Sequence, residues 1–191
     1  MLLQSDQVDV NCRDFTRHTL LFYAAERRST QIVKILLQSD HADVNCKDST
    51  GCTPLSYAAN WESIKIVKML LQSDQVDVDC KDSTGCTPLL YAAEMGSTQI
   101  VKMLLQSNQV DVNCKDLRGC TSLMIAVISG DISMAEVLLK HIQLNKLARD
   151  NNNNTTYSYA SWQFHQKLNS SNNNVMIVLL EKYGCRPQIF D

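Results

Sequence analysis

Cysteine and histidine are the residues of this chain that could most readily bind a metal or act as nucleophiles. The 191 residues include eight cysteines and four histidines. Seven of the cysteines form two series with the same constant spacing: Cys12, Cys46, Cys80 and Cys114 in one, and Cys52, Cys86 and Cys120 in the other. Neither series has the Cys-x-x-Cys spacing of a zinc site. We interpret both as small, semi-buried packing residues, with metal binding and redox sensing as less favoured alternatives.

No other group of residues in the sequence indicates catalysis. The histidines His18, His41, His141 and His165 share no register with a cysteine or a carboxylate, so no pair of nucleophile and base is recognisable. The glycines stand singly and form no phosphate-binding loop. The sequence therefore predicts a protein that is not an enzyme and that needs no metal, cofactor or small-molecule substrate.

Charge and hydropathy exclude several classes of partner. The formal net charge is −2 and no local basic patch stands out, so we expect no binding to nucleic acid. No apolar run of about 18 residues predicts a transmembrane helix, and the first residues lack the pattern of a secretory signal. We expect a cytoplasmic protein with reduced thiols, with the nucleus as the alternative compartment. A monomer or a part of a larger chain is expected.

The elements that hold these residues repeat along the chain. Residues 47–78 and 81–112 differ at only seven of 32 aligned positions, which indicates duplication. In the second copy, a tight turn at Asp82–Gly85 leads to Thr87, which is suited to cap a helix that begins at Pro88. The first copy has the same residue types at these positions. A second helix is predicted over Ser97–Leu105, because its apolar residues cover a wide arc. The alternation in Val110–Cys114 predicts an extended segment.

These motifs resemble the ankyrin repeat family. The resemblance rests on the segments Gly85–Ala93, Ile100–Leu105 and Val110–Asn113 and on their recurrence in one register. The amino-acid sequence of the repeats is also similar to that of near-identical ankyrin arrays in some fungal multidomain proteins. The resemblance implies an all-α solenoid of stacked helix–turn–helix units with β-turn or hairpin loops. Two departures are a repeat that is one residue longer than usual and the replacement of a turn-bracing histidine by Ser56 and Leu90.

The register divides the chain into one array. We predict a remnant of a preceding repeat, four repeats, and an irregular capping repeat that contains an Asn/Ser-rich insertion at 167–174 and a last helix at Val175–Leu180. The boundaries are 1–13, 14–47, 48–81, 82–115, 116–149 and 150–191. Either further sequence covers the start of the array, or Leu20, Leu21 and Phe22 are partly exposed.

Positions at which the copied repeats disagree are the candidates for binding a partner. They fall mainly at the ends of the first helices, a register that, with the turn tips, lines the concave binding surface of ankyrin proteins. The candidates are Phe15, Glu26, Arg27, Asn60, Trp61, Glu94, Met95, Leu117, Arg118 and Ile128. An apolar patch that contains Trp is typical of the centre of an interface. The alternative for Trp61 is that it folds back over the groove between repeats.

The sequence thus predicts a non-catalytic module that binds a protein partner on its concave surface. The alternative is a regulatory or targeting segment of a larger enzyme or signalling receptor. The identity of the partner is not encoded in any motif, because ankyrin surfaces bind through shape and varied residues.

Overall fold

Five pairs of helices follow one another in the part of the chain that the computed structural model describes, residues 9–39, 41–107, 109–166 and 171–186. The first helices of the pairs are α1 (Leu20–Glu26), α3 (Pro54–Asn60), α5 (Pro88–Glu94), α7 (Ser122–Ser129) and α9 (Thr156–Gln166). The second helices are α2 (Thr30–Leu37), α4 (Ile64–Leu70), α6 (Thr98–Leu105), α8 (Ile132–Leu139) and α10 (Ser171–Lys182).

The pairs stack into two parallel rows. Helices α1, α3, α5, α7 and α9 pack side by side in chain order, and α2, α4, α6, α8 and α10 form a second row behind them. One core cluster runs through all five pairs, with Leu55, Leu89 and Leu123 fully buried in the first row. Each pair therefore buries its apolar surface against its neighbours, as a solenoid requires.

A threonine determines where most of the first helices begin. The Thr87 side chain accepts a hydrogen bond from the Leu90 N–H, and Pro88 occupies the first helical turn, where no N–H is needed. Thr53 and Thr121 cap α3 and α7 in the same way. The predicted start of the first helix is confirmed, and the second helix of this pair begins at Thr98 with Ser97 as its N-cap.

An aspartate organises the turn that precedes each first helix. Asp82 Oδ1 accepts hydrogen bonds from the Thr84 N–H and hydroxyl and from the Cys86 N–H. Gly85 follows with φ +77°, and a Cβ atom there would lie 3.1 Å from the Leu117 backbone nitrogen of the next turn. The Leu117 N–H in turn donates to the Thr84 carbonyl, 2.9 Å away. Successive turn tips are therefore in direct backbone contact, and glycine at this position permits that approach.

A tyrosine supplies a brace for these turns. The Tyr91 hydroxyl donates to Asp82 Oδ2 at 2.6 Å, and the Tyr159 hydroxyl donates to Asp150 Oδ2 at 2.5 Å. From the sequence, only the loss of the usual histidine from this motif was recognisable. The structure shows that a hydroxyl three residues into the helix connects it to the turn.

A second line of side-chain hydrogen bonds connects the loops between pairs. The Asn45 amide donates to the Gln75 carbonyl, and its Oδ1 accepts from the Asp77 N–H. Asn11 and Asn113 make the same two bonds at the equivalent positions, one repeat earlier and two repeats later. Each of these three asparagines joins its loop to the next one.

Two sequence-based expectations about segments are wrong. The extended segment predicted over Val110–Cys114 is interrupted by a turn, in which the Cys114 N–H donates to the Asp111 carbonyl. The last helix is longer than Val175–Leu180 and spans Ser171–Lys182, so the end of the predicted insertion is helical. Asparagine lowers helix propensity only slightly, and burial of Met176 and Leu180 stabilises the longer helix. Residues 167–170 lie outside the described part of the chain.

The start of the array is exposed at some positions and buried at others. Leu20 is exposed, as one of the two alternatives predicted, but Leu21 and Phe22 are buried. Phe22 stacks on the His18 ring and meets the Tyr57 ring edge-on, with ring centroids 4.7 Å apart in both cases. Aromatic packing therefore covers Phe22.

Candidate functional site

The ends of the first helices present a row of side chains that differs from pair to pair. Each of the ten candidate residues is at least partly accessible to solvent, and Asn60 is the most covered of them. The row begins at the last residues of α1 and continues across α3, α5, α7 and α9, because these helices pack side by side. Near-identical scaffold residues therefore carry a surface that is different at each step.

Trp61 and Met95 occupy equivalent positions at the ends of neighbouring helices. Each is the C-cap residue of its helix, and the backbone N–H of each donates to the helix carbonyls behind it. The exposed fractions of the two side chains are 48% and 44%. The Arg28 guanidinium donates a 2.6 Å hydrogen bond to the Trp61 carbonyl, which connects the first pair to this helix end. The backbone is thus fixed while the apolar side chains face solvent.

Ile128 continues the apolar surface on α7, with an exposed fraction of 44%. It is shifted by one position, because it aligns with Glu94 and Asn60 and not with Met95. The Gln163 amide donates to the Ile128 carbonyl at 2.7 Å, so α9 approaches the end of α7 here.

Trp162 is a surface residue that the sequence analysis missed. It occupies the position on α9 that is equivalent to Ile128 on α7, with an exposed fraction of 62%. Its register could have been read from the match of Tyr159–Ala160 to Tyr91–Ala92, which places Trp162 level with Glu94. The Tyr159 bond to Asp150 reproduces the Tyr91 bond to Asp82, which supports that alignment. We call Trp61, Met95, Ile128 and Trp162 together the apolar stripe.

Two of the candidate residues contact each other. Arg118 Nη2 lies 3.1 Å from Glu94 Oε1, and Arg118 Nε lies 2.7 Å from Asp116 Oδ2. Asp116 is the turn aspartate of the fourth pair, where Ile125 stands in place of the bracing tyrosine. Arg118 replaces that tyrosine as the hydrogen-bond partner of the aspartate. The hydrogen bond and charge of Asp116 raise the pKa of Arg118, so part of its role is structural.

The turn tips contribute two separate apolar residues. Phe15 is fully exposed at the first tip, and Leu117 has an exposed fraction of 69% at the fourth. They stand three repeats apart along the stack, so the structure does not bring them together. The intervening tips carry Ser49 and Ser83 at the same position.

The first pair gives the row a basic end. Arg17, Arg27 and Arg28 are all exposed, and among the described residues no ion pair involves any of them. Glu26 is the exposed carboxylate at the end of the same helix. The far end of the row, Ile128–Gly130 with Trp162 and Gln163, carries no charge.

The cysteines lie in packed surroundings. All eight are free thiols, and seven are buried, with Cys12 as the exposed one. Burial raises the pKa of the Cys46 and Cys52 thiols, and it raises the pKa of Cys114 to about 12. The thiolate form is therefore disfavoured at neutral pH. No cluster of three or more potential metal ligands occurs among the described residues.

No helix in the described ranges is long and apolar enough to cross a membrane.

The stacked helix pairs, the turn tips and the variable row together define a helical repeat protein. A family model described as ankyrin repeats in three copies matches residues 1–82, 41–116 and 89–191. The chain belongs to the ankyrin repeat family, and the predicted family and fold class are confirmed. Ankyrin repeats are generally protein–protein interaction modules. No curated protein matches this sequence.

Proposed function

We propose that this chain binds a protein partner on its concave surface, which the turn tips and the ends of the first helices form, without catalysing a reaction. The observation that carries the proposal is the apolar stripe. Its four side chains are exposed on consecutive helices in the row where otherwise copied repeats differ. The scaffold accounts for the shared residues but not for these.

The composition of the surface supports this proposal. Trp, Met and Arg are enriched in protein interfaces, and Trp and Arg are enriched among the residues that contribute most to binding energy. The stripe has two tryptophans and one methionine, and Arg27 and Arg118 lie at its edges. Nothing in the fold requires an exposed tryptophan at a helix C-cap, since Met95 and Arg27 serve at the equivalent positions.

Rigidity of the backbone also supports the proposal. The carbonyls of Trp61 and Ile128 accept hydrogen bonds from Arg28 and Gln163 of neighbouring pairs. A partner would therefore meet a surface whose main chain is already fixed, which reduces the entropic cost of binding.

Site-specific photo-crosslinking tests the proposed surface. A photoreactive amino acid is placed at Trp61 or Met95 in the full chain, and at Lys68 or Lys102 on the second helices as controls. Both lysines are exposed on helices of the opposite row. We expect the same crosslinked protein at 61 and 95 and none at 68 and 102 in extracts of the native host. Crosslinks confined to the control positions would show that binding uses the other face.

A further inference from the structure

The apolar stripe follows a row of packed helices, and this arrangement restricts the shape of what it can bind. Its residues lie on α3, α5, α7 and α9, which pack side by side. Packed helices lie about 8–10 Å apart, so successive apolar side chains are separated by about one such step, with an offset of one helix position between Met95 and Ile128. An α-helix rises about 1.5 Å per residue, so seven residues span about 10.5 Å. A partner helix that lies across the row therefore brings one apolar residue to each helix of the row, if its apolar residues occur at every seventh position.

The described part of the surface offers no sheet edge to an extended peptide. A peptide that binds as a strand needs unpaired N–H and C=O groups along a sheet edge. The described residues form no strand, and side chains of neighbouring pairs already bond the carbonyls of Trp61 and Ile128. A helix satisfies its own backbone and binds through side chains alone, so it fits this surface better.

The charge along the row is asymmetric. Arg17, Arg27 and Arg28 stand at the first pair. The exposed carboxylates near them are those of Asp14 in the turn and Glu26 at the helix end, and Glu62 follows at the second pair. Glu94 in the middle is paired with Arg118, and the row beyond Ile128 is uncharged. A partner with carboxylates at one end is complementary to this arrangement, and complementary charge fixes orientation more than it adds affinity.

We propose that the stripe receives an amphipathic α-helix of the partner, with apolar residues at seven-residue intervals and acidic residues at the end over the first helix pair. Contact with all four stripe residues needs a helix of about 22 residues. This inference rests on the proposed function, because it names the kind of partner segment that the same surface takes.

The two tryptophans of the chain allow a direct test. They are Trp61 and Trp162, so the variants Trp162→Phe and Trp61→Phe each leave one fluorophore at one end of the stripe. The probe is a synthetic 28-residue helical peptide without Trp or Tyr, with Leu at every seventh position and Glu in its first turn. One control peptide has Lys in place of Glu, and another has two central prolines that break the helix.

We expect the acidic helix to shift the emission of both single-tryptophan variants to shorter wavelength. The lysine peptide and the proline peptide should bind at least about tenfold more weakly, which corresponds to ~1.4 kcal/mol. Arg27→Glu should reduce the preference for the acidic peptide. Equal binding of the acidic and lysine peptides, equal binding of the proline peptide, or no emission change at millimolar peptide would overturn the inference.

The proposed function and this inference can fail separately. If a partner crosslinks at 61 and 95 but its contacting segment is extended or basic, the surface is right and the helix is wrong. If no partner crosslinks at either position, the proposed surface itself is wrong.

Discussion

Asp79 interrupts the line of asparagines that connects the loops. Asn11, Asn45 and Asn113 each donate to a carbonyl of the next loop and accept from a backbone N–H. Asp79 accepts from the Asp111 N–H but has no amide to donate, and its Oδ1 is buried without a hydrogen-bond partner. Burial is the main cause that raises the pKa of this carboxyl, and the charges of Asp111 and Asp77 add to it.

Asp79→Asn should stabilise the array. The new amide would face the Gln109 carbonyl, by analogy with Asn45 and Gln75, and would remove a buried unpaired oxygen. We expect a gain of about 1 kcal/mol at pH 7 in urea unfolding. The pKa of Asp79 is higher in the folded state than in the unfolded state. The wild-type free energy of unfolding therefore falls as the pH rises from about 4 through the folded pKa. The gain should therefore shrink at pH 4.

The matched control is the opposite change, Asn113→Asp, which should destabilise the chain by a similar amount at pH 7. If both variants leave the free energy of unfolding unchanged, the loop bonds contribute nothing measurable. If Asp79→Asn is destabilising, the geometry inferred from the neighbouring asparagines does not apply at this position.

The bond from Tyr91 to Asp82 should matter for acid stability. Burial alone would raise the pKa of Asp82, but hydrogen bonds from Tyr91, Thr84 and Cys86 outweigh it and hold the pKa below its usual value. Because the folded pKa is lowered, the ionised Asp82 carboxylate stabilises the fold above about pH 4. This contribution to the free energy of unfolding is lost as the pH falls through the folded pKa. Tyr91→Phe should lower the free energy of unfolding by about 1 kcal/mol at pH 7 and by less at pH 3.

Tyr57→Phe is the control for this prediction. The Tyr57 hydroxyl lies 3.4 Å from Asp48 Oδ2, a longer bond than the 2.6 Å of Tyr91, so its loss should cost less. Thermal unfolding of both variants at pH 7 and pH 3 provides the comparison. A larger cost for Tyr57→Phe would contradict the assignment of bond strengths.

At the scale of the elements, the turn between the two helices of a pair requires a left-handed residue. Gly96 and Gly130 have φ +73° and +74°, whereas Arg28 and Glu62 occupy the equivalent positions with φ +54° and +51°. The left-handed conformation costs a residue with a Cβ about 1–2 kcal/mol. The second pair therefore carries a strain that the third does not.

Glu62→Gly should raise the free energy of unfolding by about 1 kcal/mol, and Gly96→Ala should lower it by a similar amount. A Cβ at Gly96 would meet no atom within 4 Å, so the backbone conformation alone accounts for the second effect. Chemical denaturation measures both. A destabilised Glu62→Gly would indicate that the glutamate makes a compensating contact.

The sequence predicts these elements to different degrees. Thr87–Pro88 and Gly85 are local signals, so the helix start and the turn follow from them directly. The Tyr91 brace depends on how a helix packs against its own turn, which no local propensity encodes. Trp162 was missed because the variable positions were compared only among the first four pairs, although the match of Tyr159–Ala160 to Tyr91–Ala92 places Trp162 in the same row. The start of α10 was missed because asparagine-rich sequence predicts a loop unless tertiary packing is known.

At the scale of the whole molecule, the array combines a uniform scaffold with a surface that changes along its length. The turn tips are joined by backbone bonds such as Ser83 N–H to the Thr50 carbonyl, and the loops by the asparagine bonds. These connections repeat, while the helix ends change from basic at Arg27 to apolar at Trp162. The proposed binding surface depends on this contrast.

The most direct test of the proposed surface is the affinity of the crosslinked partner for alanine variants of the stripe. Trp61→Ala, Met95→Ala, Ile128→Ala and Trp162→Ala are compared by calorimetry with wild type. Ile35→Ala and Ile142→Ala are the controls, because these exposed apolar residues lie outside the stripe.

We predict that at least two stripe variants bind about tenfold more weakly while all variants keep their helical circular dichroism. The controls should remain within about twofold of wild type, as expected for residues outside an interface. Wild-type affinity in all four stripe variants, or a loss confined to Ile35→Ala or Ile142→Ala, would contradict binding through the stripe.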